Sequence, residues 1–465
     1  MIQSAPVNQK QPLAAFIQRY TTRTQTSKQL AQTYRPVFAD PRNSLGFFPP
    51  LKELCYPIVG QRSAGARLWD VDGNEYIDLM MSFGVNLLGH NPPFITAALQ
   101  AQLEKGIQLG PQAELAGEVA ALISELTGHE RVAFSNTGTE AVMTAVRVAR
   151  AATKRPKIAV FAGSYHGHFD SALVKASRQG GSAAAAIAAG IVPSLVADVL
   201  VLEYDSPLAL EMIEAHQQEL AAVLVEPIQS SRLELQPRQF LHQLRQVTAA
   251  AGIALIFDEM VTGFRLHLGG AQAWFGVEAD LATYGKIVGG GLPIGILAGK
   301  AAYLDMLDGG QWQYGDASAP QVETTFFAGT YCKHPLAMVA AKAMLNYLKQ
   351  QGPALQAQLN QRTTQFVQQL NTDLTAAGVP IRMVSGGSLF GLPGGRSGGD
   401  RADSSPAALG LNLLTYHLRD RGILLRGNSG FLSTAHTDAD LAAILAAIKD
   451  SLDELRNSGF LAAKS

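Results

Sequence analysis

Three polar residues stand where strands of a parallel sheet would end. Glu226 follows the apolar run AVLV (222–225), Asp258 follows IALIF (253–257), and Lys286 follows LATY (281–284) after one glycine. Ligands of open α/β sheets gather at the carboxyl ends of strands, so these residues are candidates for chemistry. A partly desolvated amine at Lys286 has a lowered pKa and can attack a carbonyl, although a lysine after a strand can also be an ordinary solvated one. Asp258 can face a pyridine nitrogen and keep it protonated, which turns the ring into an electron sink. The Asp258-Glu259 pair could equally cap a helix or bind a metal. In SNTGTEA (135–141) a helix opens at Gly138 and Thr139, whose N–H groups and dipole end suit an anion; a plain N-cap is the alternative. Tyr165, in Tyr165-His166-Gly167-His168, can stack on a pyridine face, and no third residue at metal-ligand spacing joins the two histidines. An amine for a carbonyl, an acid for a ring nitrogen and an anion cradle together describe a site for pyridoxal 5′-phosphate (PLP).

The elements that must hold these residues are legible as a rhythm. Beyond Thr137, short apolar runs, buried on both faces, alternate with helical segments, which predicts an α/β fold with a mostly parallel sheet between helices. Residues 67–78 alternate around an Asp-Gly-Asn turn, which predicts a hairpin. The expected domains are a Gln/Thr-rich linker or arm (1–45), an N-terminal segment contributing to the smaller domain (46–90), a large domain (91–336) and a C-terminal small α+β domain (337–465). Within the last, residues 386–405 read as a Gly/Ser-rich loop.

The 465 residues carry a formal net charge of −1, which offers no field for nucleic acid or an anionic membrane surface. The most membrane-like window, 183–202, is broken by Gly190, Pro193 and Asp198. Cys55 and Cys332 are too few for a disulfide framework, and the start lacks a secretory pattern, so a soluble protein of the cytoplasm is expected.

The blocks SNTGTEA, YHGH, FDEMVTGFR (257–265), YGKIVGGGLPIG (284–295), FFAGTYCKHPL (326–336) and FLSTAHT (431–437) resemble the class III PLP aminotransferases of fold type I, and within them the glutamate-1-semialdehyde aminomutase group. The resemblance runs from about Leu51 to the C-terminus. It implies a seven-stranded-type large-domain sheet, Lys286 as the Schiff-base lysine and Asp258 as the partner of the pyridine nitrogen. It also implies Tyr165 and Met260 on the two ring faces, phosphate contacts from Gly138 and Thr139, and His166 and Glu226 beside the cofactor. Thr330 would reach the phosphate of a neighbouring subunit in a symmetric homodimer, and Phe83 would lie at the substrate mouth. The implied reaction moves an amino group from an amino-acid donor to a ketone, with pyridoxamine 5′-phosphate between its two halves.

Two departures bear on the substrate. Where the aminomutases carry an acidic residue, this chain has Asn428 within RGNSG (426–430), which argues against mutase action on a small amino-aldehyde. Where many ω-aminotransferases read EPIQGE, it has EPIQSS (226–231) and lacks the second glutamate. The lead-in YRPVFADPRNSLGF (34–47) resembles aminotransferase domains of hybrid polyketide/nonribosomal-peptide synthases, implying a β-keto acyl thioester on an acyl carrier protein as acceptor. The alternatives are an aminomutase-like or other class III enzyme on a free small substrate, or a catalytically silent domain that recruits a carrier. Residues 169–193, around Gly180-Gly181, resemble the mobile lid of the aminomutase group.

Overall fold

The computed structural model describes residues 7–41, 44, 47–177, 182–394, 406–425, 427 and 429–461. The chain divides into two compact units, one of Pro93–Gln361 and one of Met1–Pro92 with Arg362–Ser465.

The larger unit is built on seven strands: β1 (Arg131–Ser135), β2 (Lys157–Phe161), β3 (Val199–Leu202), β4 (Leu220–Val225), β5 (Ala254–Asp258), β6 (Leu281–Tyr284) and β7 (Gly295–Gly299). Their order is β1-β7-β6-β5-β4-β2-β3, and every neighbouring pair is parallel except those made by β7, which runs antiparallel to β6 and β1. Every residue of β4, β5 and β6 is buried, which is why these strands read as unbroken apolar runs. One covering layer comes from α3 (Gly138–Thr153), preceded by α1 (Pro93–Lys105) and α2 (Leu115–Thr127). Val142, Val146 and Ala149 of α3 pack on Ala222, Leu224, Ile256 and Leu281. The further helices are α4 (Pro207–Ala215), α5 (Arg238–Ala251), α6 (Gly270–Phe275), α7 (Ala301–Asp308) and α8 (Pro335–Gln351).

Helix α8 belongs to this larger unit rather than to the small domain expected from residue 337. Its buried face, Ala337, Ala340, Ala341 and Met344, is small enough for close packing on α1 and α2, and Phe94 stacks on Tyr347 with ring centroids 4.6 Å apart. The window 183–202 is a short strand, one helical turn and β3. Among the described residues no helix is long and apolar enough to cross a membrane.

In the second unit, strands Arg67–Asp70 and Glu75–Asp78 form the predicted antiparallel hairpin, with Gly73 at φ +83°. The start differs from the linker expected of it. It forms helices Val7–Arg23 and Gln25–Tyr34, and Leu13, Phe16 and Tyr20 fall on one face at spacings of three and four. They pack on Leu51, Leu54, Leu413 and Leu455. Polar residues fill the outer face, so the composition resembles a tether although the stripe is that of a docked helix. In the loop at 386–405, Leu389–Gly391 is a strand and 395–405 lie outside the described residues.

Candidate active site

Register places the acidic residues. Phe257 pairs with Val225 and Asp258 with Thr283, so Glu226, Asp258 and Thr283 sit side by side at adjacent strand ends. Asp258 is 4% exposed and accepts from Met260 N (3.2 Å) and Thr283 Oγ1 (3.3 Å). His166 Nδ1 lies 2.8 Å from its Oδ2. An ionised carboxylate only accepts, so Nδ1 carries the proton in this pair. The ring is buried, and its Nε2 has no partner among the described residues.

Glu226 is equally buried and accepts Tyr165 N–H at 2.9 Å and Ser230 N–H at 3.4 Å. Burial pushes its carboxyl up to about 7, with the Asp258 charge adding to the shift and His166 and the two N–H groups opposing it. Glu259 has a different task. Its carboxylate accepts from Ala271 N (2.7 Å), Gln272 N (3.2 Å) and Thr262 Oγ1 (2.9 Å), so it caps α6, and burial lifts it to about 7. The Asp258-Glu259 pair thus divides between the strand-end cluster and a helix cap.

At the start of α3, Thr137 Oγ1 accepts Glu140 N–H (3.2 Å), while the Glu140 carboxylate accepts Asn136 N–H (2.6 Å) and Thr137 N–H (3.3 Å). This capping box satisfies the third turn donor and leaves Gly138 and Thr139 N–H without intrahelical acceptors. The start of α3 is therefore an N-cap and retains donors for an anion. Gly167, at φ +84°, lies so close to Thr139 that a Cβ there would stand 2.6 Å from Oγ1. His168 N–H also reaches that Oγ1, at 3.3 Å.

Met260 joins the two halves. A Cβ on Gly138 would lie 2.7 Å from its sulfur, and one on Gly285, next to Lys286, 2.9 Å. Lys286 itself is half-buried in the turn after β6, and Tyr165 is 62% exposed. One end of the sheet therefore carries Gly138, Thr139, Tyr165, His166, Glu226, Asp258, Met260 and Lys286. Thr330 occupies an exposed turn beside the loop before α3, where Asn136 Nδ2 lies 3.9 Å from Cys332 Sγ. Phe83 lies in the other unit, half-exposed, in a turn where Met81, Ser82 and Phe83 take φ of 42°, 52° and 59°. Asn428 and Gly180-Gly181 lie outside the described residues.

Three residues at the site escaped the sequence reading as functional. Thr283 was visible as the polar member of LATY just before Lys286. Gln229 and Ser231 were visible only within a departure from a family pattern.

The Aminotransferase class-III profile matches residues 51–427. The chain is a class III aminotransferase. It is 36% identical over 411 residues, 86% of this chain and 92% of the other, to glutamate-1-semialdehyde 2,1-aminomutase of Alkaliphilus oremlandii. Among solved structures, a transaminase with PLP bound matches with a TM-score of 0.81 and 30% identity, over 94% of this chain and 99% of that one. A β-phenylalanine aminotransferase from Variovorax paradoxus matches with a TM-score of 0.80 and 30% identity, over 96% and 98%. The aminotransferase is thus a PLP-dependent enzyme of fold type I, as the motif resemblance implied. Its residues fit that cofactor: a buried acid at a strand end, first-turn N–H groups at a helix start, and Gly138 and Gly285 both close against the Met260 sulfur.

Proposed function

We propose that this aminotransferase moves an amino group from an amino-acid donor to the carbonyl of a free small acceptor, with Lys286 as covalent anchor and proton carrier. The strand-end cluster of Asp258, His166 and Glu226 two residues short of the Lys286 turn is the observation that carries this reading. Asp258 holds the pyridine nitrogen protonated, and His166, donating from Nδ1, fixes that carboxylate. Gly138 and Thr139 bind the phosphate through N–H groups and a hydroxyl. Tyr165 and Met260 would lie against the two faces of the cofactor ring. Bound PLP supplies an electron sink that stabilises charge on the donor carbon. The amine of Lys286 would hold the cofactor and, once freed, would serve as the base that moves a proton from the donor α-carbon. Thr330, on its exposed turn, completes the site of a second copy in a homodimer.

The relatives favour a free substrate of the aminomutase or ω-transaminase kind over the carrier-bound β-keto thioester that residues 34–47 suggested. The β-phenylalanine aminotransferase supports a β-amino product as a second reading. Two unpaired cysteines suit a reducing cytoplasm. The test offers holoenzyme single amino donors and follows conversion of PLP to its amine form by absorbance. Glutamate-1-semialdehyde, a free β-keto acid and a β-ketoacyl carrier protein then compete as acceptors, with products read by mass. Amination of the carrier alone would overturn the free-substrate reading. Lys286→Ala is expected to lose the near-visible absorbance of the bound cofactor and turnover together, and turnover in that variant would remove Lys286 from its role.

A further inference from the structure

Tyr165 is 62% exposed, so packing alone does not fix its ring, and its position depends on how its backbone is held. That backbone is held residue by residue. Gln229 Nε2 donates to Ala162 O (3.0 Å) and Ser164 Oγ (2.8 Å), and Ser231 Oγ donates to Gly163 O (2.7 Å). Glu226 accepts Tyr165 N–H (2.9 Å). All four residues from Ala162 to Tyr165 are thus gripped by one short block, 226–231, that follows the neighbouring strand β4. Gln229 is fully buried, and Gly163 takes φ +84°, where a Cβ would touch Ser231 Oγ at 3.6 Å. Gly167, also at φ +84°, ends the loop against Thr139.

We propose that Glu226, Gln229 and Ser231 are positioning residues that clamp the Ala162–Tyr165 loop and so set the Tyr165 ring against the cofactor. Ser231 stands where EPIQGE enzymes carry their second glutamate, so here that position serves the loop. The hydrogen bonds are 2.7–3.0 Å long and span more than sixty positions of chain. Those of Gln229 and Glu226 are partly buried, so losing Gln229 removes a partner from Ala162 O, while the exposed bond of Ser231 to Gly163 O is exchanged for water. The loop then samples positions from which Tyr165 does not cover the ring. The clamp rests on the proposed stacking role of Tyr165, and the test separates the two.

The measured quantity is the rate at which holoenzyme loses PLP to an excess of an apo acceptor protein, together with near-visible circular dichroism. Tyr165→Ala is expected to speed loss about tenfold, and Ser231→Ala and Gln229→Leu each about five- to tenfold, the equivalent of one hydrogen bond. In the Tyr165→Ala background the same two substitutions are expected to change the rate less than twofold, because their effect runs through the missing ring. Glu226→Gln, whose amide oxygen can still accept Tyr165 N–H, retains most of the clamp. Equal effects in both backgrounds, or none in the wild type, overturn the clamp. If Tyr165→Ala alone leaves PLP loss unchanged, the stacking role fails first.

Discussion

Gly167→Ala tests whether the loop after β2 must lie hard against the start of α3. The substitution acts in two ways. A side chain at φ +84° costs about 1–2 kcal/mol in the left-handed region. The new Cβ would also stand 2.6 Å from Thr139 Oγ1, 2.9 Å from its Cα and 3.1 Å from its Cβ. The Cα belongs to the first turn of a capped helix and cannot swing aside, so overpacking adds about 1–3 kcal/mol. Gly190→Ala is the control, since Gly190 has φ +90° and no atom within 4 Å of its would-be Cβ. Both variants share the backbone strain and the loss of unfolded-state freedom, which cancel in the comparison. Gly167→Ala is expected to melt lower than Gly190→Ala by the overpacking alone, about 2–6 °C at roughly 2 °C per kcal/mol for a unit of this size. With Thr139 holding the phosphate as proposed, its displacement would weaken those hydrogen bonds, so PLP affinity is expected to fall about 10- to 100-fold in Gly167→Ala. Calorimetry and titration of the apo protein with PLP measure both. Equal melting temperatures and affinities in the two alanine variants would refute the close approach as a constraint on the phosphate site.

Glu259, lifted to about 7 by burial, favours its protonated form in the folded state, so the stability it contributes is full below pH 4.5 and lost as pH rises through 7. Between pH 5 and 8 the wild type is expected to lose about 2–3 kcal/mol more than Glu259→Gln, read by urea unfolding at each pH. Histidines titrate in both proteins and cancel, and parallel stability curves would rule the reasoning out. Phe16→Ala removes a buried ring stacked on His417 at 3.9 Å, with an expected cost of about 3 kcal/mol in denaturant unfolding. An unchanged midpoint would restore the linker view of the N-terminus.

The sheet was legible because β4, β5 and β6 are buried on both faces, and a doubly buried strand has no choice but to be apolar throughout. Asp258 and Lys286 were visible for the same reason, as polar residues ending apolar runs. The docked N-terminal helices were not, since three large buried side chains, Leu13, Phe16 and Tyr20, in seventeen residues make a stripe too narrow to distinguish from a tether before its partners Leu413 and Leu455 are in place. Helix α8 was assigned to the wrong unit because its small-residue face carries no sign of what it packs on. Glu259 and Asp258 are adjacent in sequence and look alike there, and only the fold of α6 separates cap from site. The roles of Gln229 and Ser231 depend on a loop more than sixty residues earlier, a pairing that no local pattern encodes.

The reversed strand β7 has a consequence for assembly. Lys286 follows β6 and helix α3 follows β1, and in the sheet these strands are joined through β7, whose Gly295 pairs with Ser135 across 160 positions of chain. Closing so long a loop is entropically costly, so this pairing is expected to form after the local helices and the parallel β4-β5-β6 core. A cofactor bonded to Lys286 and held at the helix start, as proposed, would bridge a seam expected to form late. Its colour on binding would act as a late-stage clock for folding, and holoprotein should resist unzipping at that edge better than apoprotein.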